Sequence, residues 1–305
     1  MTAPDQPELR YDRSTGRPVL VAPGRTKRPL HTVAGRDDAE QCPFCPGSEN
    51  ETPPESEAIR ADGSAPNGPG WTARAFPNKF PAAKHHEVLV EGPRHLAGPD
   101  SLTYDEWVDS LTLIRNRILN FERRPEVRCA FWFKNVGRHA GASVAHNHSQ
   151  LLGLPILPPR LELELDAQRN EGPLIEDDLD RSNREGRRIV DGPGFSWLSP
   201  TQPKLPFETW IVPHDRTSTF EDADLVDLAQ VLSRATKALK STLEEPPFNL
   251  YLHRVPNEEF HWHFEMQPRT GFLAALELGG DMYINSMPAQ EASARFRDHL
   301  GSSPT

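Results

Sequence analysis

With 305 residues the chain has room for one large domain or two of ordinary size, each with its own core. Thirty-four Lys and Arg against 44 Asp and Glu give a formal net charge of -10 and a pI near 5.7. That balance leaves no basic stripe for a nucleic-acid backbone, so any phosphate bound should be a small ligand held locally.

The first ten residues are polar. Ser14-Thr15-Gly16 is a turn signal ahead of a short apolar strand, Pro18 to Ala22, and Arg25, Lys27 and Arg28 follow as a basic cluster in an acidic chain. A solvated loop and a phosphate contact are equally open readings of that cluster. Cys42-Pro43-Phe44-Cys45 stands in a Pro- and Gly-rich stretch that offers no helix for a redox CxxC. Two thiolates from one tight turn suit tetrahedral zinc, whose other ligands must be distant histidines or carboxylates. Cys129, alone in an apolar run, reads as a small buried hydrophobe. So few cysteines, no secretory apolar segment at the start, and no apolar run reaching the ~18 residues that span a bilayer suggest a cytoplasmic chain away from membranes.

Residues 51–70 read as an exposed loop. A turn at Asn78-Lys79-Phe80-Pro81 leads to a strand near Glu87 to Glu91, with His95 just past its end. Thr103-Tyr104-Asp105-Glu106 is a capping box opening a helix whose Trp107, Leu111, Ile114 and Ile118 form a core stripe.

The chain is organised around Phe131 to Pro155, at whose centre lies His146-Asn147-His148-Ser149-Gln150. As a strand, period-two geometry puts His146, His148 and Gln150 on one face. Gly137 to Ser143, just ahead, is small and glycine-bearing, so its N–H groups can approach an anion closely. A strand histidine is more often a hydrogen-bonded structural residue than a catalyst. The balance shifts because the polar phase is framed by Phe131-Trp132-Phe133 and Leu151-Leu152, with metal-type residues upstream.

Leu161 to Arg169 and Ile175 to Arg188 read as charged helices, and residues 190–206 as a Gly/Pro-rich boundary. The second half then repeats the first. KLPFETWIVPHDR echoes KFPAAKHHEVLVEGPRH, an amphipathic helix carries Leu225, Leu228, Leu232, Ala235 and Leu239, and FHWHFEMQPR echoes AHNHSQLLGLP. The expectation is an α+β fold of two duplicated units, antiparallel sheets flanked by helices, divided as 1–158, a charged helical connector 159–200, and 201–305. Glu265 answers Gln150, and nothing like GRHAGAS precedes His261, so chemistry is expected in the first copy.

CPFC, NKFPA, FKNVGRHAGASVAHNHSQ, LPFETW and FHWHFEMQPR, in that order, make nearly the whole chain resemble the galactose-1-phosphate uridylyltransferase family, a branch of the histidine-triad superfamily. The resemblance implies histidine-triad-like halves, usually in a homodimer. It also implies a transferase of galactose metabolism that exchanges UMP between UDP-glucose and a hexose 1-phosphate through a covalent uridylyl-histidine. His148 matches the nucleophile and Gln150 the glutamine that donates to the phosphoryl oxygens. Cys42, Cys45, His95 and His146 match structural zinc ligands. Asn78, Phe80, Asn135, Gly141 and Ser143 fall where the family holds the nucleotide, Arg25 and Arg28 match phosphate-side residues, and Glu277 matches a hexose-binding glutamate. Glu164, His253, His261 and His263 correspond to a second metal site, zinc or iron, of one branch; a strand of hydrogen-bonded histidines is the other reading of them. Leu276 and Asp281 depart from the family pattern beside Glu277. The hexose, the choice of uridine or adenine, the second metal and the dimer interface stay open, and a nucleotide-sugar phosphorylase of ADP-glucose type, using inorganic phosphate, is the alternative. A non-catalytic zinc-stabilised binding protein is the third.

Overall fold

The computed structural model describes residues 6–27, 42–60, 63–96 and 98–302. Contacts group the chain into two compact units, one from Met1–Gly98, Asp105–Lys134 and Ser143–Leu163, the other from Pro99–Tyr104, Asn135–Ala142 and Glu164–Thr305. Helices and antiparallel strands together make an α+β fold.

In the first unit, β1 (Glu8–Tyr11) and β2 (Pro18–Val21) form a hairpin whose turn is closed by Asp12 Oδ1, accepting from the N–H groups of Ser14 and Thr15. The strands β3 (Glu57–Arg60), β4 (Trp71–Pro77), β5 (His85–Glu91), β6 (Cys129–Val136) and β7 (His148–Leu154) lie in the order β3-β4-β5-β7-β6, with α1 (Tyr104–Glu122) between β5 and β6 in sequence. Val88 and Phe133 sit opposite Gln150, and Val90 opposite His148. Because partners across an antiparallel pair share a face, His86, Val88, Val90, His148, Gln150 and Phe133 line one side. The other side is covered by α1, whose Trp107, Leu111, Ile114, Ile118 and Phe121 are buried at helical spacing and whose Arg117 makes two 2.9 Å bonds to Glu87. Gly153 permits that closeness, since a Cβ there would lie 3.0 Å from Phe121 and Val127.

The second unit contains α2 (Pro159–Glu171), which runs on from the first, α3 (Leu174–Arg184), β8 (Arg188–Asp191), β9 (Phe195–Leu198), β10 (Thr209–Pro213), α4 (Leu225–Leu243), β11 (Phe248–His253), β12 (His263–Pro268), α5 (Ala275–Gly280) and α6 (Ala289–Ser302). Its strands lie in the order β11-β12-β10-β9-β8. Trp210 and Tyr251 sit opposite Glu265, as Val88 and Phe133 sit opposite Gln150. So β9-β10-α4-β11-β12 repeats β4-β5-α1-β6-β7 in order and register, and Gln150 corresponds to Glu265, His148 to His263 and His146 to His261.

Two local readings change. The helix expected to run to Arg188 stops at Arg184, because Gly186 takes φ 70° and turns the chain into β8. The stretch expected to be a boundary holds β8 and β9, two four-residue strands too short to show a period. Among the described residues no helix is long and apolar enough to cross a membrane.

Candidate active site in the first unit

The cysteine knuckle folds as a tight turn, with Cys45 N–H donating to Cys42 O at 3.3 Å and Phe44 N–H to Cys42 Sγ at 3.4 Å. Buried Glu49 braces it, accepting from Gly47 N–H at 2.9 Å and from the Trp71 indole at 2.8 Å. Onto this turn converge two histidines far away in sequence. Cys45 Sγ lies 3.4 Å from His95 Nδ1 and 3.5 Å from His146 Nδ1, and Cys42 Sγ lies 3.7 Å from His146 Nδ1.

All four ligand atoms fall within 4.8 Å of one another. A tetrahedral zinc with ordinary bond lengths requires ligand separations of about 3.3–3.8 Å, so this donor set fits that ion. Burial pushes the Cys42 thiol up to about 12 and the His146 imidazole down to about 4. The bare Cys42 thiol is therefore protonated, whereas a divalent cation would hold it as a thiolate. His146 itself precedes β7, and its Nε2–H donates to Gly92 O at 2.9 Å, which turns Nδ1 toward the sulfurs.

Two residues on, His148 opens β7 with Nδ1 2.7 Å from the carbonyl of His146. That carbonyl can only accept, so the ring proton sits on Nδ1 and the lone pair on Nε2. Phe44 packs edge-on against the same ring at 5.3 Å between centroids. His148 lines a cavity of about 280 Å³ together with Gln150, Asn78, Phe80, Ser143 and Phe76. Asn78 is oriented by Phe80 N–H, which donates to its Oδ1 at 2.8 Å, and Arg25 Nη1 donates to Phe80 O at 2.8 Å.

The opposite face of these strands carries a feature that went unnoticed in the sequence. Lys134 is buried, with Nζ 2.7 Å from Glu91 Oε2 and 3.1 Å from the carbonyl of His148; Asn147 Nδ2 donates to Glu91 O at 3.1 Å. Desolvation pulls the Lys134 ammonium below its usual value and Glu91 pulls it back up. The only sign was a lysine in the apolar run FWFKNV. His86 is the second omission: its Nε2 lies 3.0 Å from Gln150 Oε1.

Other expected residues are placed as follows. Asn135 and Gly141 are neighbours in the second unit, where Asn249 Nδ2 donates to Asn135 Oδ1 at 2.8 Å and to Ala140 O at 2.9 Å. Arg28 lies outside the described residues. Glu277 is half-buried, with Oε2 accepting from Ala274 N–H at 2.9 Å; bonds from backbone N–H groups, its own first, hold its carboxyl below the usual range.

In the second unit Glu164, His253 and His263 offer ligand atoms within 4.8 Å of one another, with His253 Nδ1 2.7 Å from Glu164 Oε2. Glu265 Oε1 lies 3.6 Å from His263 Nε2 and 3.8 Å from His253 Nδ1. His261 stands outside that group, its Nε2–H directed to Pro213 O at 2.9 Å. Burial pulls both His253 and His261 below the usual imidazole value, His261 to about 4.

No protein-family model matches the chain. It is 26% identical to the galactose-1-phosphate uridylyltransferase of Thermotoga maritima, over 95% of this chain and 98% of that one. A solved uridylyltransferase structure matches with TM-score 0.81 at 25% identity, over 98% of this chain and 100% of the other. The structure of an ADP-glucose phosphorylase from Arabidopsis thaliana, with bound ADP-glucose, matches with TM-score 0.76 at 27% identity, over 96% and 99% of the two chains. Over nearly its whole length the chain is similar to proteins of the galactose-1-phosphate uridylyltransferase family.

Proposed function

We propose that the protein is a nucleotidyltransferase that passes UMP from UDP-glucose to a hexose 1-phosphate, galactose 1-phosphate, through a covalent nucleotidyl-His148. The observation that carries the proposal is the bond from His148 Nδ1–H to the His146 carbonyl, 2.7 Å, which commits the proton and leaves the lone pair on Nε2 of a residue lining the cavity. Nε2 attacks the α-phosphorus of the nucleotide sugar, the P–O bond to the sugar phosphate breaks, and hexose 1-phosphate leaves. An acceptor phosphate oxygen then attacks the same phosphorus and the P–N bond breaks, returning neutral imidazole. Throughout, the proton stays on Nδ1 and is donated to the His146 carbonyl, which stabilises the positive charge that the ring acquires. The Gln150 amide donates to the phosphoryl oxygens without a proton transfer.

Cys42, Cys45, His95 and His146 would hold a structural zinc, which when bound fixes the chain two residues from the nucleophile. Asn78, Phe80, Asn135, Gly141 and Ser143 would receive the nucleotide, Arg25 and Arg28 its phosphates, and Glu277 the hexose. Glu164, His253 and His263 form a second candidate set for zinc or iron, with His261 the fourth member suggested by sequence. The working form would be a cytoplasmic homodimer.

A phosphorylase reading is favoured by one observation, the 27% identity to a protein solved with bound ADP-glucose. Two nucleotide sugars and two acceptors separate the readings. UDP-glucose with galactose 1-phosphate should give UDP-galactose. ADP-glucose with inorganic phosphate giving ADP, and no exchange with galactose 1-phosphate, would replace the first reading by the second.

A further inference from the structure

Gln150 can serve a phosphoryl oxygen only if its Nε2, and not its Oε1, faces the cavity, and an unrestrained amide has no reason to choose. The choice is made by His86, which lies next to Leu152 of β7 on the same face of the sheet. Ala82 N–H donates to His86 Nδ1 at 2.9 Å, so Nδ1 must be the unprotonated nitrogen and the ring proton resides on Nε2. Nε2 lies 3.0 Å from Gln150 Oε1, which therefore accepts from it. Asn78, a second cavity-lining residue, donates its backbone N–H to His86 O at 2.8 Å, and its Nδ2, itself a donor, lies 3.2 Å from His86 Nε2, so among these neighbours Gln150 Oε1 is the acceptor for the ring proton.

The duplicated half of the chain carries the same device with different chemistry. By register, Glu208 of the second copy occupies the place of His86, two residues before Trp210 as His86 is two before Val88. Lys204 N–H donates to Glu208 Oε2 at 2.9 Å, as Ala82 N–H donates to His86. There the neighbouring position is Glu265, and Lys204 Nζ lies 3.4 Å from Glu208 and 3.7 Å from Glu265. The scaffold thus fixes whatever acceptor stands at this spot, and only in the first copy is it an imidazole handing a proton to an amide.

Resting on the role proposed above for Gln150, we infer that His86 is a positioning residue, locked by Ala82 as the Nε2–H tautomer, which orients the Gln150 amide so that its NH₂ points at the transferring phosphoryl group. His86→Asn keeps an acceptor for Ala82 N–H and removes the donor to Gln150, while His86→Gln restores a donor near the position of Nε2. Full-length variants are given UDP-glucose or ADP-glucose labelled at the α-phosphorus, and the rate constant and half-saturation of label uptake are followed.

His86→Asn should slow uptake about tenfold to a hundredfold, the cost of misplacing a positioned group, with half-saturation little changed. His86→Gln should recover most of the rate, and His86→Asn added to Gln150→Ala should slow it no further. A merely structural histidine would not rank Gln above Asn. Wild-type rates in His86→Asn, or losses that multiply in the double variant, would overturn the inference while leaving the function intact. Folded wild-type protein that takes label from neither nucleotide sugar would remove the function, and the inference with it. Should His86→Asn fail to fold, His86→Ala, alone and combined with Gln150→Ala, reads the same coupling.

Discussion

The two HxH strands stand in the same register of the same topology, yet their surroundings have diverged on both faces. Behind His146-Asn147-His148 lies a buried ion pair, Lys134 with Glu91, bonded to Asn147 and to the His148 carbonyl. Behind His261-Trp262-His263 the corresponding positions are Leu252, Pro213 and Trp262, and Trp262 packs on Phe195, Phe220 and Phe264. On the front face, His148 and Gln150 line a cavity, whereas His263 and Glu265 are shut in with His253 and Glu164. A buried ion pair is commonly no more stabilising than the apolar residues that can replace it. Its presence behind only one copy is therefore better explained by the backbone it holds than by stability. One copy presents its histidine and glutamine to a cavity, and the other encloses the corresponding side chains in a polar cluster.

The largest effect expected from this contrast is kinetic. His148→Ala should lower nucleotidyl transfer by on the order of a thousandfold or more, whereas His263→Ala in folded protein should leave the first half-reaction within a few-fold, measured as label uptake from UDP-glucose or ADP-glucose. Equal losses in the two variants would break the comparison.

Metal content comes next. Cys42→Ser should lose one zinc per chain, measured by elemental analysis, and unfold at markedly lower temperature, because binding energy at a structural site is folding energy. Glu164→Ala should leave that zinc in place, so any metal it loses belongs to the second set.

How far these contrasts could be read from residues alone depends on what each position announces. The knuckle, the HxH face and the two amphipathic helices announce themselves by spacing, and His95 and His146 do converge on Cys42 and Cys45. Strands β8 and β9 did not, being four residues long and parted by Gly192 and Gly194. His86 and Lys134 were passed over because a polar residue in an apolar strand reveals neither its face nor its partner until the register is known. The resemblance groups His261 with Glu164, His253 and His263; its Nε2–H is directed to Pro213 O at 2.9 Å, and the other three bring their ligand atoms together.

The buried pair supplies the third test. Lys134→Met alone should cost about 3–5 kcal/mol in denaturant unfolding, since Glu91 is left as an uncompensated buried charge. Lys134→Leu with Glu91→Leu, which copies the apolar character of the second half, should recover most of that stability while still slowing transfer, because the His148 carbonyl loses its ammonium. Full activity in the stable double variant would show that the pair does not serve the nucleophile.

The smallest effect concerns the helix of the second copy. Asp224 caps α4, accepting from Val226 N–H at 2.9 Å and Asp227 N–H at 3.2 Å, so Asp224→Ala should cost about 1 kcal/mol. The shift would appear in the unfolding midpoint, with label uptake at His148 unchanged.

The most direct test of a single reactive copy is to quench wild-type protein seconds after mixing with UDP-glucose or ADP-glucose and to map the modified residue by mass spectrometry. A nucleoside monophosphate on His148, discharged by galactose 1-phosphate or inorganic phosphate, is the predicted result. An adduct on His263, or brisk turnover with no adduct on any histidine, would contradict it.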